Sequence, residues 1–312
     1  MPHLPNLPVG NVGLVPEVLA QRMVTVVIGG PLVLAVAVIG EPWLSLIIAA
    51  AVVIGLLELS ALLLLANLIR RRWLVILGGT AVAASLLAAL APVSAVSDGL
   101  PPIVLVAVVA ALVMGLGLAT LSADEPRHAV IEWGSSVFGS LYIGLLLPTV
   151  AVLGHLTLVD GSSLTAIGSW TISAGAAWLF FLFAVIWSFD SAAYLGGRSF
   201  GRRKLAPRVS PGKTVEGVAA GAAAAAIAGA LAGAAWLELA PWVGILLGAA
   251  VGLLGQVGDL MESLIKRAAG VKDSGALFPG HGGLLDRVDS LLFGAPLIVA
   301  SALLAGAMIL PG

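Results

Sequence analysis

From Asp259 to Asp289 the chain reads DLMESLIKRAAGVKDSGALFPGHGGLLDRVD, a polar stretch within an otherwise apolar sequence. Continued as a helix, Asp259, Glu262, Ser263 and Lys266 fall at i, i+3, i+4 and i+7, on one face. Two acids and a hydroxyl on one stripe suit half of a Mg²⁺ site, because this ion takes a few carboxylates and keeps waters or substrate phosphates as its other ligands. A solvated stripe with an internal Glu262–Lys266 pair is the plain alternative. Asp286 and Asp289 stand three apart at the start of an apolar run. One acid would satisfy the dipole of a helix beginning there; a second, just before a membrane helix, costs more. With Asp259 they make three candidate metal ligands whose mutual repulsion a divalent cation would relieve, and a second cation in the same cluster is left open. Between these parts, Pro279, Gly280, Gly282 and Gly283 predict a tight turn with little bulk, which lets backbone N–H groups approach an anion. His281, inside that turn, is a candidate phosphate donor or acid, though a lone histidine is more often structural. Lys266, Arg267 and Lys272 supply cations that match phosphate.

A second polar stretch, FDSAAYLGGRSFGRRKLAPRVSPGKTVEG, covers residues 189–217. Its SPGKT ending fails the phosphate-loop pattern G-x-x-x-x-G-K-[ST], because Pro207 stands where glycine is required. The dinucleotide fingerprint G-x-G-x-x-G fails at Arg198 for the same reason. What remains is a cation-rich loop with Ser210 and Lys213 just ahead of a helix expected to start near Thr214, which is a general anion site. Asp190 is a further candidate ligand, or a partner for one of the arginines. For Arg198, Arg202, Arg203 and Lys204 the bland alternative is attraction to an anionic leaflet, worth about 1 kcal/mol per charge.

The elements that must position these residues are membrane helices. The chain has 312 residues, 60% hydrophobic and 10% charged, with mean hydropathy +1.12, against about 25% charged in an average soluble domain. A soluble globule of this size could not hide so much apolar surface. With no cysteine, disulfides and thiolate metal sites are excluded. A span needs about 20 apolar residues, and nine stretches qualify: 23–40, 44–69, 73–91, 102–121, 134–153, 170–189, 215–236, 241–258 and 288–310. The fold class is therefore an all-α polytopic membrane bundle of about nine helices. The second span is long and contains Glu58, so a tilt or a break is expected; an acid inside a span is a functional candidate by default. The short connections near 41–43 and 237–240 force antiparallel neighbours.

With the N-terminus in the cytoplasm, all fifteen Lys and Arg residues fall on the inner side, as expected from the excess of basic residues in cytoplasmic loops. The outer loops then hold only Glu41, Asp98, Asp160 and Glu238, and the C-terminus lies outside. Residues 190–216 and 259–289 share the inner face and hold 17 of the 31 charged residues in 58 positions, more than topology alone needs. The organisation expected is a Pro- and Gly-rich tail at 1–21, N-terminal transmembrane helices over 22–169, and a C-terminal transmembrane catalytic region over 170–312. No tract suggests nucleic-acid binding, and a homo-oligomer is left open. A transporter would place charges at the bilayer midplane in broken helices, whereas here only Glu58 is deep.

At this level of detail the motif is recognisable. SLIKRAAGVKDSGALFPGHGGLLDRVDS resembles the signature of the phosphatidate cytidylyltransferase family, S-x-x-K-R-x4-K-D-x-G-x3-P-G-H-G-G-x-x-D-R-x-D, at every fixed position. DSAAYLGGRSFGRRKLAPRVSPGKTVEG is similar to the family's second motif, with its D-[ST]-x-A-Y start and S-P-x-K-T-x-E-G end. The resemblance implies transfer of a cytidylyl group from CTP to phosphatidate with Mg²⁺ at the cytoplasmic face of the inner or plasma membrane. It implies catalytic roles for Asp259, Lys272, Asp273, His281, Asp286 and Arg287. It implies substrate contacts from Ser210, Lys213, Thr214, Ser263, Lys266, Arg267, Gly282 and Gly283, and metal binding by Asp259, Asp286 and Asp289. A CTP-dependent lipid kinase is the nearest alternative, since it would use similar nucleotide contacts.

Overall fold

A computed structural model describes residues 30–90, 102–121, 125–158, 164–165, 171–277, 282–304 and 308–309. The tail over 1–21, the start of the first span and the turn at 278–281 with His281 lie outside the described residues. Ten helices follow one another: α1 (Gly30–Ile39), α2 (Trp43–Leu65), α3 (Arg72–Leu90), α4 (Pro102–Thr120), α5 (Pro126–Gly144), α6 (Thr149–His155), α7 (Ala174–Phe200), α8 (Val215–Trp236), α9 (Pro241–Ala268) and α10 (Leu285–Leu304). Among the described residues seven stretches are long and apolar enough to cross a membrane, with α5 and α6 counted as one. The molecule is a helical membrane protein, turned inside out relative to a soluble one. Leu46, Leu77, Met114, Leu118, Ile227, Leu231 and Leu246 face outward, each more than half exposed, which in water would be a continuous apolar surface.

Three differences from the expected spans matter for the site. The second span is one unbroken helix that ends at Leu65. The sixth and eighth spans run on as helix beyond the apolar stretch, to Phe200 and Ala268. Finally, the SPGKT segment is not an open loop but the second strand of a hairpin, β1 (Lys204–Ala206) antiparallel to β2 (Ser210–Thr214). Helix α8 starts directly after it. Thr214 caps the helix by accepting from the Gly217 N–H, and Glu216 sits in its first turn, which satisfies one orphan donor and suits the dipole. Glu216 also accepts from the backbone N–H groups of Arg202 and Arg203 and from Arg203 Nε, tying the end of α7 to the start of α8.

Helices α7, α8, α9 and α10 pack in sequence, and α2, α3, α4 and α5 form the other layer, with α2 and α6 bridging to α9 and α10. One continuous core joins both layers, from Leu56, Leu59 and Ile143 to Phe181, Phe189, Val251 and Leu292. The α8–α9 crossing is made by backbone rather than side chains. A methyl at Gly229 would overlap the Gly244 carbonyl, and one at Gly248 would overlap the Ala225 carbonyl. Small residues at such positions let membrane helices approach closely. At the polar end of α2 and α3, the buried Glu132 of α5 accepts from the backbone N–H groups of Arg70 and Arg71 at 2.9 Å and pairs with the Arg71 guanidinium at 3.1 Å.

Leucine at Gly248 would wedge α8 from α9, with overpacking of this kind costing about 1–3 kcal/mol. The expected outcome is a lower melting temperature of the purified protein in detergent; an unchanged melt would mean that the two helices are not packed this closely.

Candidate active site

Two polar constructions share the end of the bundle where α7, α9 and α10 carry their acids. The first is a clamp on the loop between α9 and α10. Lys266, on the last turns of α9, reaches Glu262 at 2.9 Å and Asp286 of α10. The other oxygen of Asp286 accepts from Ser274 N at 2.9 Å, Ser274 Oγ at 3.0 Å and Gly283 N at 2.9 Å. Glu58 comes in from α2: Oε1 accepts from Leu284 N and Oε2 from Leu285 N, both at 2.9 Å, while Ser274 Oγ lies 3.0 Å from Oε2. The acid inside the second span therefore caps α10, satisfying backbone donors that a helix start leaves orphaned. Among the described residues it forms no ion pair with a basic residue of the site. Gly275 and Gly283 are required by this approach, since a Cβ at either would collide with the Glu58 carboxylate.

The second construction is a cleft of about 520 Å³ between the end of α7, the hairpin, the first turn of α8 and the middle of α9. Asp190, Tyr194 and Arg198 line it from α7, Lys213 and Thr214 from β2, Gly217 from α8, and Gln256 and Asp259 from α9. Lys213 forms an ion pair with Asp259, whose other oxygen faces Ser263 Oγ at 3.4 Å. Asp190, Asp259 and Lys213 act on one another through space, and Arg287 acts on Asp190. Asp289, one turn inside α10, feels the charges of Asp259, Asp190 and Lys213. The hydrogen bond from Ser290 N, 2.7 Å long, holds its Oδ1.

The predicted stripe Asp259–Glu262–Ser263–Lys266 is thus real, but its members divide. Asp259 faces the cleft, whereas Glu262 and Lys266 are buried in the clamp. The three predicted metal aspartates divide likewise. Asp289 lies in the field of the Asp259 carboxylate, while Asp286 is committed to Lys266 and the loop backbone. Among the described residues no three His, Asp or Glu side chains are close enough together to hold an ion by themselves. Ser210 pairs with Ala206 inside the hairpin, and the pocket-facing residues of that strand are Gly212, Lys213 and Thr214. Arg267 holds Val209 O at 3.2 Å and Val271 O at 2.9 Å, so it docks the hairpin onto α9. Lys272 and Asp273 are exposed on the loop, and Gly282 adopts φ +81° beside Asp286. Neither the capping by Glu58 nor the lining position of Gln256 was foreseen. For Gln256 the signal was available, a polar residue three before Asp259 in an apolar stretch; for Glu58 its partners lie more than 200 residues away.

Residues 20–304 match the family described as the cytidylyltransferase family. The chain is 33% identical over 297 residues to a phosphatidate cytidylyltransferase of Synechocystis, an alignment covering 89% of this chain and 94% of that protein. It is 44% identical over 125 residues to a phosphatidate cytidylyltransferase of Bacillus subtilis and 47% identical over 125 residues to the uncharacterized protein YnbB of Escherichia coli K12. The last two alignments span less than half of each relative's own length, 46% and 42%.

Glu58→Ala would leave the N–H groups of Leu284 and Leu285 without acceptors, at about 1–3 kcal/mol for each orphaned group. The expected result is a lower melting temperature and faster proteolysis within residues 270–285, with Glu58→Gln falling between mutant and wild type. A wild-type melt for the alanine variant would remove the clamp.

Proposed function

The chain belongs to the cytidylyltransferase family, and from that premise we propose that it transfers the cytidylyl group of CTP to phosphatidate, giving CDP-diacylglycerol and pyrophosphate. The observation that carries this is the cleft itself: Lys213 and Arg198 stand beside Asp190 and Asp259 at the ends of membrane helices, where a polyanionic nucleotide and a lipid anchored in the bilayer can meet. A phosphate oxygen of phosphatidate attacks the α-phosphorus of CTP, the bond to the β-phosphate bridging oxygen breaks, and pyrophosphate leaves with the electron pair. The attacking oxygen is already ionised near neutral pH, so the protein's task is positioning and charge stabilisation.

The donor set suits Mg²⁺, a hard ion that takes one or two carboxylates and completes its shell with water and substrate phosphates. Asp259 and Asp289 would hold it, and Asp286 would join them only on giving up its contact with Lys266. When bound, Mg²⁺ would neutralise phosphate charge. Lys213 then moves its charge from Asp259 to a substrate phosphate. Lys272, Arg267 and the backbone of the 279–283 turn, with His281, receive the triphosphate. Asp273 and Arg287 stay in the site as loop and α10 neighbours of these groups, and Ser210 acts through the hairpin. The nine-span arrangement, with N-terminus and cleft in the cytoplasm, is supported by the single side on which it gathers every basic residue.

Purified protein with labelled CTP, Mg²⁺ and phosphatidate should form labelled CDP-diacylglycerol and release pyrophosphate, and chelation should stop both. Release of CDP with a phosphorylated lipid would instead identify a lipid kinase. Asp259→Asn should lower turnover about 100-fold or more, in the range seen when a charge-stabilising group is removed, and Lys213→Ala should raise KM for one substrate; wild-type kinetics in both would displace the cleft as the site. Because the chain has no cysteine, Lys204→Cys offers a single thiol, expected to react with an impermeant maleimide only from the cytoplasmic side.

A further inference from the structure

Tyr142 of α5 is 5% exposed and belongs to the other helical layer. Its ring lies edge-on to Phe293 of α10, with centroids 6.2 Å apart and planes at 62°, and tilted on Phe138 at 5.1 Å. Phe293 follows Asp289 by four residues, so the two share a face of α10. Gly258 of α9 crosses at the same level, where a methyl would overlap both the Asp289 carbonyl and the Phe293 ring. Helix α5 therefore touches α10 one turn from Asp289, at the level where α9 crosses it.

Tyr142 carries a hydroxyl into this contact. Phenylalanine would supply the same ring packing, and the hydroxyl finds no hydrogen-bond partner among the described residues. Burying such a donor unpaired is costly. The charged groups that bear on it through space are Asp289 first, then Glu262 and Asp259, all of them acceptors. Glu262 Oε1, buried in the same region, also has no partner among the described residues.

We propose that Tyr142 is a positioning residue for the Asp289 carboxylate: its neutral O–H donates to that carboxylate, directly or through one water, once a cation enters the site. The donation fixes which carboxylate oxygen faces the cation, the task of groups that orient metal ligands from behind. The proposal rests on the assignment of Asp289 to the metal site made above.

The test is Tyr142→Phe in the full chain, read three ways. Melting temperature should stay the same or rise, because an unpaired buried hydroxyl is removed. Mn²⁺ binding, followed by electron paramagnetic resonance without substrate, should weaken about 10-fold, at the lower end of the 10- to 100-fold losses seen for such partners. In turnover, kcat should fall by a similar factor with KM for phosphatidate unchanged. Wild-type Mn²⁺ affinity in the variant overturns the proposal, as does a fall in melting temperature that accounts for the loss. The two readings fail separately: a wild-type protein that makes no CDP-diacylglycerol sinks the proposed reaction, and the Mn²⁺ comparison still decides the role of Tyr142.

Discussion

Backbone donors at the start of a helix have no partners within it, and at the edge of a membrane water is a poor substitute. Helix α10 begins under that constraint, and the carboxylates of Glu58 and Asp286 answer it. Between them they accept from the N–H groups of Ser274, Gly283, Leu284 and Leu285. Both acids are themselves costly to bury, and Asp286 is compensated by Lys266, which also contacts Glu262. The arrangement is cooperative in a simple sense, since removing any one group strands a charge or a donor on another. It also fixes where the loop between α9 and α10 runs, and with it Asp289, one turn into α10.

The cleft depends on a different economy, that of bulk. Glycines along α8 and α9 bring two backbones into contact, and Phe189 of α7 fills the space that remains against Gly221 and Gly252. Close packing here brings the polar ends of α7, α8 and α9 together, so that Asp190, Lys213 and Asp259 line one cleft. Arg267 and Glu216 then fasten the hairpin to α9 and α8. The cleft-facing charges sit on regular helices and a short hairpin, which hold side chains more precisely than open loops do.

Tyr142 shows how the two helical layers become one functional unit. Helices α2 to α5 could be read as a mere hydrophobic support, since their sequence has little beyond apolar runs. Yet Glu58 reaches from α2 to the first turn of α10, and Tyr142 reaches from α5 to the neighbourhood of Asp289. The layer without motifs supplies a cap and a buried hydroxyl to the layer that has them.

Composition alone settled that the chain is a helical membrane protein, because no globule in water can cover this much apolar surface. Spacing marked which residues are candidates for the chemistry, since the motif residues of 189–217 and 259–289 are contiguous in sequence and keep helical period where they are helical. Asp259 and Ser263 on one stripe and Thr214 as a helix start were legible for that reason. What tertiary structure decided is how like charges are apportioned. Nothing in the spacing of Asp259, Asp286 and Asp289 tells that the middle one is tied to Lys266 and backbone while the outer two act on each other, because pairing depends on distances between helices. The same holds for Glu58 and Tyr142. Their partners lie far along the chain, and only packing of α2 and α5 against α10 brings donor and acceptor within reach.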